Sequence, residues 1–174
     1  MFAPTVIQIV LLGCAGLLVW AAASDMLRFR IPNRVSLAIA ALWPAYLLAS
    51  WIGGVPVAPL GGLIAGLGVF AAGFLLFNRG LLGGGDVKLM SATALWAGLS
   101  GLAPFVIIVA AAGGLLSLGM VAATGLSYMR QPALRPAGLP MWRALLRQPA
   151  PYGVAIAAGG LFTLARLAGF SFAL

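Results

Sequence analysis

The sequence predicts an all-α membrane protein, a bundle of six transmembrane helices in a single domain of residues 1–174. Of these residues, 63% are apolar and only 7% are charged, whereas about a quarter of the residues in an ordinary soluble domain are charged. Long stretches carry no charge at all, and the first positive side chain is Arg28. The basic residues lie between the apolar stretches, as expected for loops that flank membrane spans.

Each apolar stretch is read as one span, because a transmembrane helix needs about 20 mostly apolar residues. The six predicted spans are 4–24, 35–52, 58–78, 87–101, 104–128 and 152–171. The fourth span is short, and Pro104 restricts where it can end. The first span ends in three alanines that resemble a signal cleavage site, but positive charge follows this span and none precedes it. A secretory signal has the opposite charge order, so we expect a retained span.

The positions of the basic residues predict the orientation. If all six spans cross, nine of the ten Lys and Arg residues lie on one side of the membrane, and Arg166 is the exception. Loops rich in Lys and Arg stay in the cytoplasm. We therefore expect a multi-pass protein of the bacterial inner membrane with both termini outside. Because topology explains the positive charge, binding to nucleic acid is not expected.

Two further patterns concern packing and the longest loop. Gly62 and Gly66 form a GxxxG pair in the third span, which favours close contact between helices in lipid. In loop 129–151, residues 141–147 place Trp and Leu on one helical face and Arg on another. This segment is either a helix lying on the inner membrane surface or part of a Pro-rich linker.

The scarcity of reactive side chains limits the chemistry. There is no His, and the lone cysteine, Cys14, lies within the first apolar span, where a small buried side chain is expected. A single Cys excludes an internal disulfide and any multi-cysteine zinc site. We expect no metal and no cofactor.

The only acidic residues are Asp25 and Asp86. Asp25 ends the first predicted span and Asp86 begins the fourth, so the two spans between them return the chain to the same membrane face. An ionisable group at a membrane boundary is costly and indicates function. The alternatives are that Asp86 only caps its helix and that Asp25 only pairs with a nearby arginine. Capping is not expected for Asp25, because it lies at a helix C-terminus.

Two adjacent carboxylates predict hydrolysis of a peptide bond. Such a pair shares one proton, so the ionised member can activate water while the protonated member polarises a carbonyl group. The glycines before Asp86 leave room for an extended substrate backbone. A phosphate-binding loop is the weaker reading, since the Gly-Lys-Ser/Thr element is missing. Lys88 is expected to be a topology anchor or a substrate contact.

Three stretches resemble one family, the type IV prepilin peptidases, which are GxGD membrane aspartic proteases. Residues 83–90 are similar to the GxGDxKLL-like motif of that family. Asp25 followed by Arg28, with Ile-Pro-Asn at 31–33, resembles its first-aspartate motif. Residues 151–157 resemble the pattern that opens its last span. The three stretches occur in the family's order and cover nearly the whole chain.

The resemblance implies an aspartic endopeptidase that removes the leader peptide of a prepilin at the cytoplasmic face, with pilus-assembly machinery and membrane lipid as further partners. It is closest to the short CpaA/TadV type associated with Flp/Tad pili. About ten residues join the first two spans and no CxxC occurs, so methyltransferase activity is not expected. The residues that the resemblance assigns as catalytic are Asp25 and Asp86. Those expected to bind substrate or shape the site are Gly83, Gly85, Lys88, Pro32 and Asn33.

Two other functions are compatible with the sequence. Paired acids in a membrane also serve as proton relays, so a proton-coupled transporter or channel subunit that uses Asp25 and Asp86 is the main alternative. That reading expects acids near the bilayer midplane and matching broken helices in two halves, whereas here both acids are predicted at the inner boundary. A non-catalytic assembly scaffold is the second alternative.

Overall fold

The computed structural model describes residues 2–131 and 150–169. The amphipathic segment predicted at 141–147 lies outside the described residues. Within them, the chain forms helices and no strands. The helices are α1 (Phe2–Arg28), α2 (Asn33–Ile52), α3 (Pro59–Asn78), α4 (Gly84–Arg130) and α5 (Tyr152–Leu167).

The helices α1 to α4 are each long and apolar enough to cross a membrane, whereas α5 is shorter, with 16 residues. The all-α membrane class is therefore confirmed. The predicted count of six separate helices is not, since the described residues form five. The difference arises in α4, whose 47 residues contain both the fourth and the fifth predicted spans.

Gly98 interrupts α4 with φ 60° and ψ −178°, and we call the parts before and after it the first and second arms. A positive φ of this kind strains residues with a Cβ and suits glycine. Pro104, which was expected to limit the fourth span, instead lies within the second arm. The predicted break at 102–103 is thus wrong by a few residues, because one glycine makes the turn without a loop.

The first arm runs in the same direction as α5. At its start, Ile31 lies against both Gly85 and Gly153, which places these two glycines at one level. Seven residues further along α5 and eight further along α4, a methyl group added at Gly160 would lie 2.8 Å from Cγ2 of Thr93. The two helices therefore advance together from the end where α5 begins.

The second arm runs the opposite way along α5. A methyl group added at Gly159 would lie 3.1 Å from the carbonyl oxygen of Phe105. Gly113, further along the arm, lies instead beside Ala155, nearer the start of α5, where an added methyl group would be 3.6 Å from its Cβ. The turn at Gly98 thus reverses the chain direction.

Close packing joins α3 to its neighbours. A methyl group added at Gly62 would lie 2.5 Å from Cζ2 of Trp43 and 2.7 Å from the carbonyl oxygen of Leu95. One added at Gly66 would lie 2.6 Å from Cδ2 of Leu95. Both members of the GxxxG pair therefore allow close approach, as predicted. Cys14 is 1% exposed and forms no disulfide, which confirms that it is a buried core residue.

Candidate active site

A cavity of about 670 Å³ lies where the end of α1, the connection to α2 and the start of α4 meet. Six of the seven predicted site residues line it: Asp25, Asp86, Gly83, Gly85, Pro32 and Asn33. The fold therefore brings the two carboxylates, 61 positions apart in sequence, to one space.

Asp25 is buried, with 6% of its surface exposed. Its Oδ2 accepts a 2.7 Å hydrogen bond from the backbone N–H of Gly153, in the first turn of α5. The residue before that helix, Pro151, provides no side-chain cap. Asp25 thus satisfies an amide at the N-terminus of another helix, where negative charge is favourable. The expectation that capping does not involve Asp25 is wrong, because it considered only the helix that contains this residue.

Gly153 is the site residue that the sequence analysis missed. A methyl group added there would lie 2.9 Å from both Cβ and Oδ2 of Asp25 and 3.0 Å from Cδ1 of Ile31. Only glycine leaves the carboxylate room to approach this amide. The available signal was the Pro-Tyr-Gly stretch at 151–153, which marked the start of the last span but was not assigned to the site.

Asp86 is half-buried and is held by its own helix. The N-cap position of α4 is occupied by Gly83, so Asp86 is the third helical residue and not the cap itself. Its carboxylate reaches back to the backbone N–H of Gly83, as the acidic member of a capping box does. A methyl group added at Gly83 would lie 2.7 Å from Oδ2 of Asp86. This glycine has φ −74°, so free space beside the carboxylate, and not a positive φ, explains the need for glycine.

The two carboxylates are close enough to repel each other electrostatically. Within the described chain, neither forms an ion pair with an arginine, although Arg28 and Arg30 line the same cavity. Simple ion pairing therefore does not account for Asp25. In the same described ranges, no three His, Cys, Asp or Glu side chains cluster. A carboxylate pair of this kind can hold one proton between its members and divide the roles of acid and base.

The connection that follows Asp25 has a defined geometry. Phe29 adopts φ 49°, a left-handed conformation uncommon for a bulky residue. Its N–H donates to the carbonyl oxygen of Asp25 at 2.8 Å, and the hydroxyl of Ser24 donates to the carbonyl oxygen of Arg30 at 2.9 Å. The positive φ of Phe29 ends α1 one turn after Asp25, and the bond from Ser24 holds the connection that follows.

Lys88 is the predicted site residue that does not line this cavity. Its Nζ donates a 3.1 Å hydrogen bond to Oδ1 of Asn33, the first residue of α2. Asn33 does line the cavity. Among the residues described, Lys88 is therefore linked to the site only through Asn33.

The sequence model of the type IV leader peptidase family matches residues 12–118, which include both aspartates and the glycines before Asp86. No curated protein and no solved structure matched the chain. Because the matched segment covers more than half of the 174 residues, the protein belongs to the type IV leader peptidase family, a family of proteases.

Proposed function

We propose that the protein is an aspartic endopeptidase that removes the leader peptide of prepilins, with Asp25 and Asp86 as its catalytic pair. The observation that carries the proposal is the arrival of the chain's only two carboxylates in one cavity, each held by a backbone amide. Membership of the leader peptidase family supports the substrate class.

The chemistry follows from the pair. The ionised carboxylate removes a proton from water, and the resulting hydroxide forms a bond to the carbonyl carbon of the scissile peptide. The protonated carboxyl gives its proton to the carbonyl oxygen, which yields a neutral tetrahedral diol. When the C–N bond breaks, the nitrogen takes the proton held by the first carboxylate, and a hydroxyl proton of the diol returns to the second. The products are a carboxylic acid on the leader and a free amine on the pilin.

The glycines beside Asp86 support access for substrate. A helical peptide bond is shielded by its own hydrogen bonds, so the cleaved segment has to be extended. The space next to the carboxylate at Gly83 and the cavity volume of about 670 Å³ fit such a segment. We propose Pro32, Asn33 and Gly85 as further contacts on the cavity wall.

The proposed topology has six crossings, with the two arms of α4 crossing separately. The reversal of direction at Gly98 supports this count. It leaves nine of the ten basic residues on the cytoplasmic side of a bacterial inner membrane. Both termini are then outside, the site faces the cytoplasm, and residues 1–174 act as one domain.

The short connection between α1 and α2 supports the Flp/Tad pilus type. Only residues 29–32 separate these helices, and the chain has a single Cys. We therefore propose peptidase activity without methylation of the new N-terminus. Pilus-assembly machinery is the proposed destination of the product.

Separate Asp25→Asn and Asp86→Asn substitutions test the proposal. Each keeps the size of the side chain and removes its acid–base chemistry, so cleavage of a prepilin in membranes should fall at least about 100-fold. Membrane yield and thermal stability in detergent should stay near those of the wild type. Full processing by either variant would refute the catalytic pair, whereas a folded wild type that never cleaves a prepilin would refute the activity.

A further inference from the structure

A second cavity lies between α2 and α3 and has α4 as its floor. Its volume is about 470 Å³. The two walls meet at Trp43 and Gly62, where the helices are in tight contact. From that closed end the groove continues toward the start of α2. We call it the α2–α3 groove.

Each of the three helices contributes four residues to the groove, spaced along one face over two turns. These residues lie within 33–40 of α2, 63–70 of α3 and 88–95 of α4. Seven residues of helix advance about 10 Å. The groove is therefore long enough for one face of a docked helix whose contacting side chains lie at positions i, i+3 or i+4, and i+7.

The groove is open on its outer side, which would face lipid, and part of its floor consists of small side chains. All three helices are apolar enough to span a membrane. Its rim carries Leu37 and Leu67, which are 70% and 67% exposed. Its floor includes Ser91 and Ala92, and small residues of this kind permit close helix contact in lipid.

Continuity with the candidate active site distinguishes a helix from a lipid chain as the occupant of the groove. Ser36 lines the groove, but its hydroxyl oxygen is buried within the protein and is not exposed to a docked group. The groove shares Asn33 with the cavity of the two carboxylates. A peptide substrate has to enter that cavity, whereas a hydrocarbon chain does not.

The open end of the groove adjoins the candidate active site. Asn33 lines both spaces, and Lys88 lies at the same end of the groove. At the opposite, closed end, the Nε1–H of Trp96 donates to the carbonyl oxygen of Ile39 at 3.1 Å and fixes α2 to α4. An apolar helix in the groove would therefore direct the segment that precedes it into the cavity of the two carboxylates.

We propose that the α2–α3 groove is the docking site for the apolar helix of the substrate. The inference rests on the proposed function and adds the surface that selects the substrate within the membrane. The docked helix lays one face along the groove and places its leader end beside Asn33. Recognition is then divided between an apolar groove and a polar cavity.

Binding is tested apart from cleavage in the Asp25→Asn background. The probe is a synthetic peptide with a 20-residue apolar helix after a short polar leader, carrying one cysteine in the helix and reconstituted in phosphatidylcholine liposomes. A cysteine replaces Leu67 at the groove rim or, as control, Ala72, which is exposed on α3 outside the groove. Cys14 is buried and does not compete. We expect disulfide crosslinking to the peptide at position 67 and not at position 72.

A second pair of variants fills the groove. Ala40→Trp places an indole in it, whereas Ala41→Trp adds the same group at the next, exposed position. Crosslinking at position 67 should fall at least about tenfold with Ala40→Trp and remain with Ala41→Trp.

Equal crosslinking at the two cysteine positions, no crosslinking at either, or no difference between the two Trp variants would overturn the docking site. The no-crosslink outcome would indicate a groove filled by lipid. If crosslinking occurs at position 67 and falls with Ala40→Trp, but the chain with native Asp25 cleaves neither the peptide nor a prepilin, the docking site is supported and the proposed peptidase activity is refuted.

Discussion

Asp25 and Asp86 line one cavity but are held in different ways. Asp86 is held within its own helix, by an amide three residues earlier. Asp25 is buried and is held by the amide of Gly153, which is 128 positions away in sequence. The first arrangement forms whenever α4 begins with Gly83 at its N-cap position. The second exists only when α1 and α5 are packed together. The Asp86 side of the site therefore depends on local structure, and the Asp25 side depends on the tertiary fold.

This contrast predicts different consequences for glycine substitutions on the two sides. A change beside Asp25 should affect both stability and cleavage, because the same contact caps α5 and positions the carboxylate. A change beside Asp86 should affect cleavage far more than stability, because it disturbs one exposed helix end.

Gly153→Ala is expected to have the largest effect. The added methyl group would lie 2.9 Å from Cβ and Oδ2 of Asp25 and 3.0 Å from Cδ1 of Ile31, and Cβ cannot move away unless the backbone of α1 shifts. We expect the free energy of unfolding to fall by about 1–3 kcal/mol, and prepilin cleavage to fall with it. Thermal unfolding in detergent and a membrane cleavage assay measure the two quantities.

The matched control for this change is Gly114→Ala in α4, where an added methyl group meets no atom within 4 Å. It should leave both measurements close to those of the wild type. Unchanged stability in Gly153→Ala would contradict the view that Asp25 and α5 depend on each other.

Gly83→Ala is expected to have an intermediate effect, confined to cleavage. Its methyl group would lie 2.7 Å from Oδ2 of Asp86 and should displace the carboxylate from the cavity. Stability should change by no more than about 0.5 kcal/mol, as for most surface positions. The same two assays separate these outcomes, with Gly68→Ala, another open position, as control. A loss of stability as large as that of Gly153→Ala would remove the proposed distinction between the two sides.

The same distinction explains what could be read from the sequence. The number of spans between Asp25 and Asp86 predicts that they share a face, and the local motif around Asp86 predicts its neighbours. The bond from Gly153 to Asp25 could not be predicted in this way, since it depends on how α5 docks against α1. Six of the seven predicted site residues line the cavity. Lys88 does not, although it is only two positions from Asp86, because residues two apart do not share a helical face.

The break in α4 was misplaced for a related reason. Pro104 is a strong local signal, but a proline in a long apolar helix is tolerated when neighbouring helices support it. Gly98 is one of 24 glycines, and what distinguishes it within α4 is its positive φ of 60°. Residue type alone does not reveal which glycine adopts a positive φ.

Lys88 provides the smallest predicted effect and tests whether the Asp86 side extends to substrate. Its ammonium group bonds to Asn33 and has no carboxylate partner among the described residues. We propose that it contacts an acidic substrate side chain near the cut. Lys88→Met should then lower cleavage about two- to fivefold for a substrate with such a residue, as for an exposed ion pair. Lys88→Met should not change cleavage of a control substrate in which that acidic residue has been replaced by a neutral one.

The comparison variant for Lys88 is Asn33→Ala, which removes the hydrogen bond but keeps the charge. If the ammonium acts on substrate charge, Lys88→Met discriminates between the two substrates and Asn33→Ala does not. If Lys88 only positions Asn33 at the cavity wall, both variants lower cleavage of both substrates equally. If Lys88 is only a topology anchor, Lys88→Met alters cleavage of neither substrate, whatever the effect of Asn33→Ala. The last two outcomes would each remove Lys88 from substrate recognition and restrict the Asp86 side of the site to the carboxylate and its glycines.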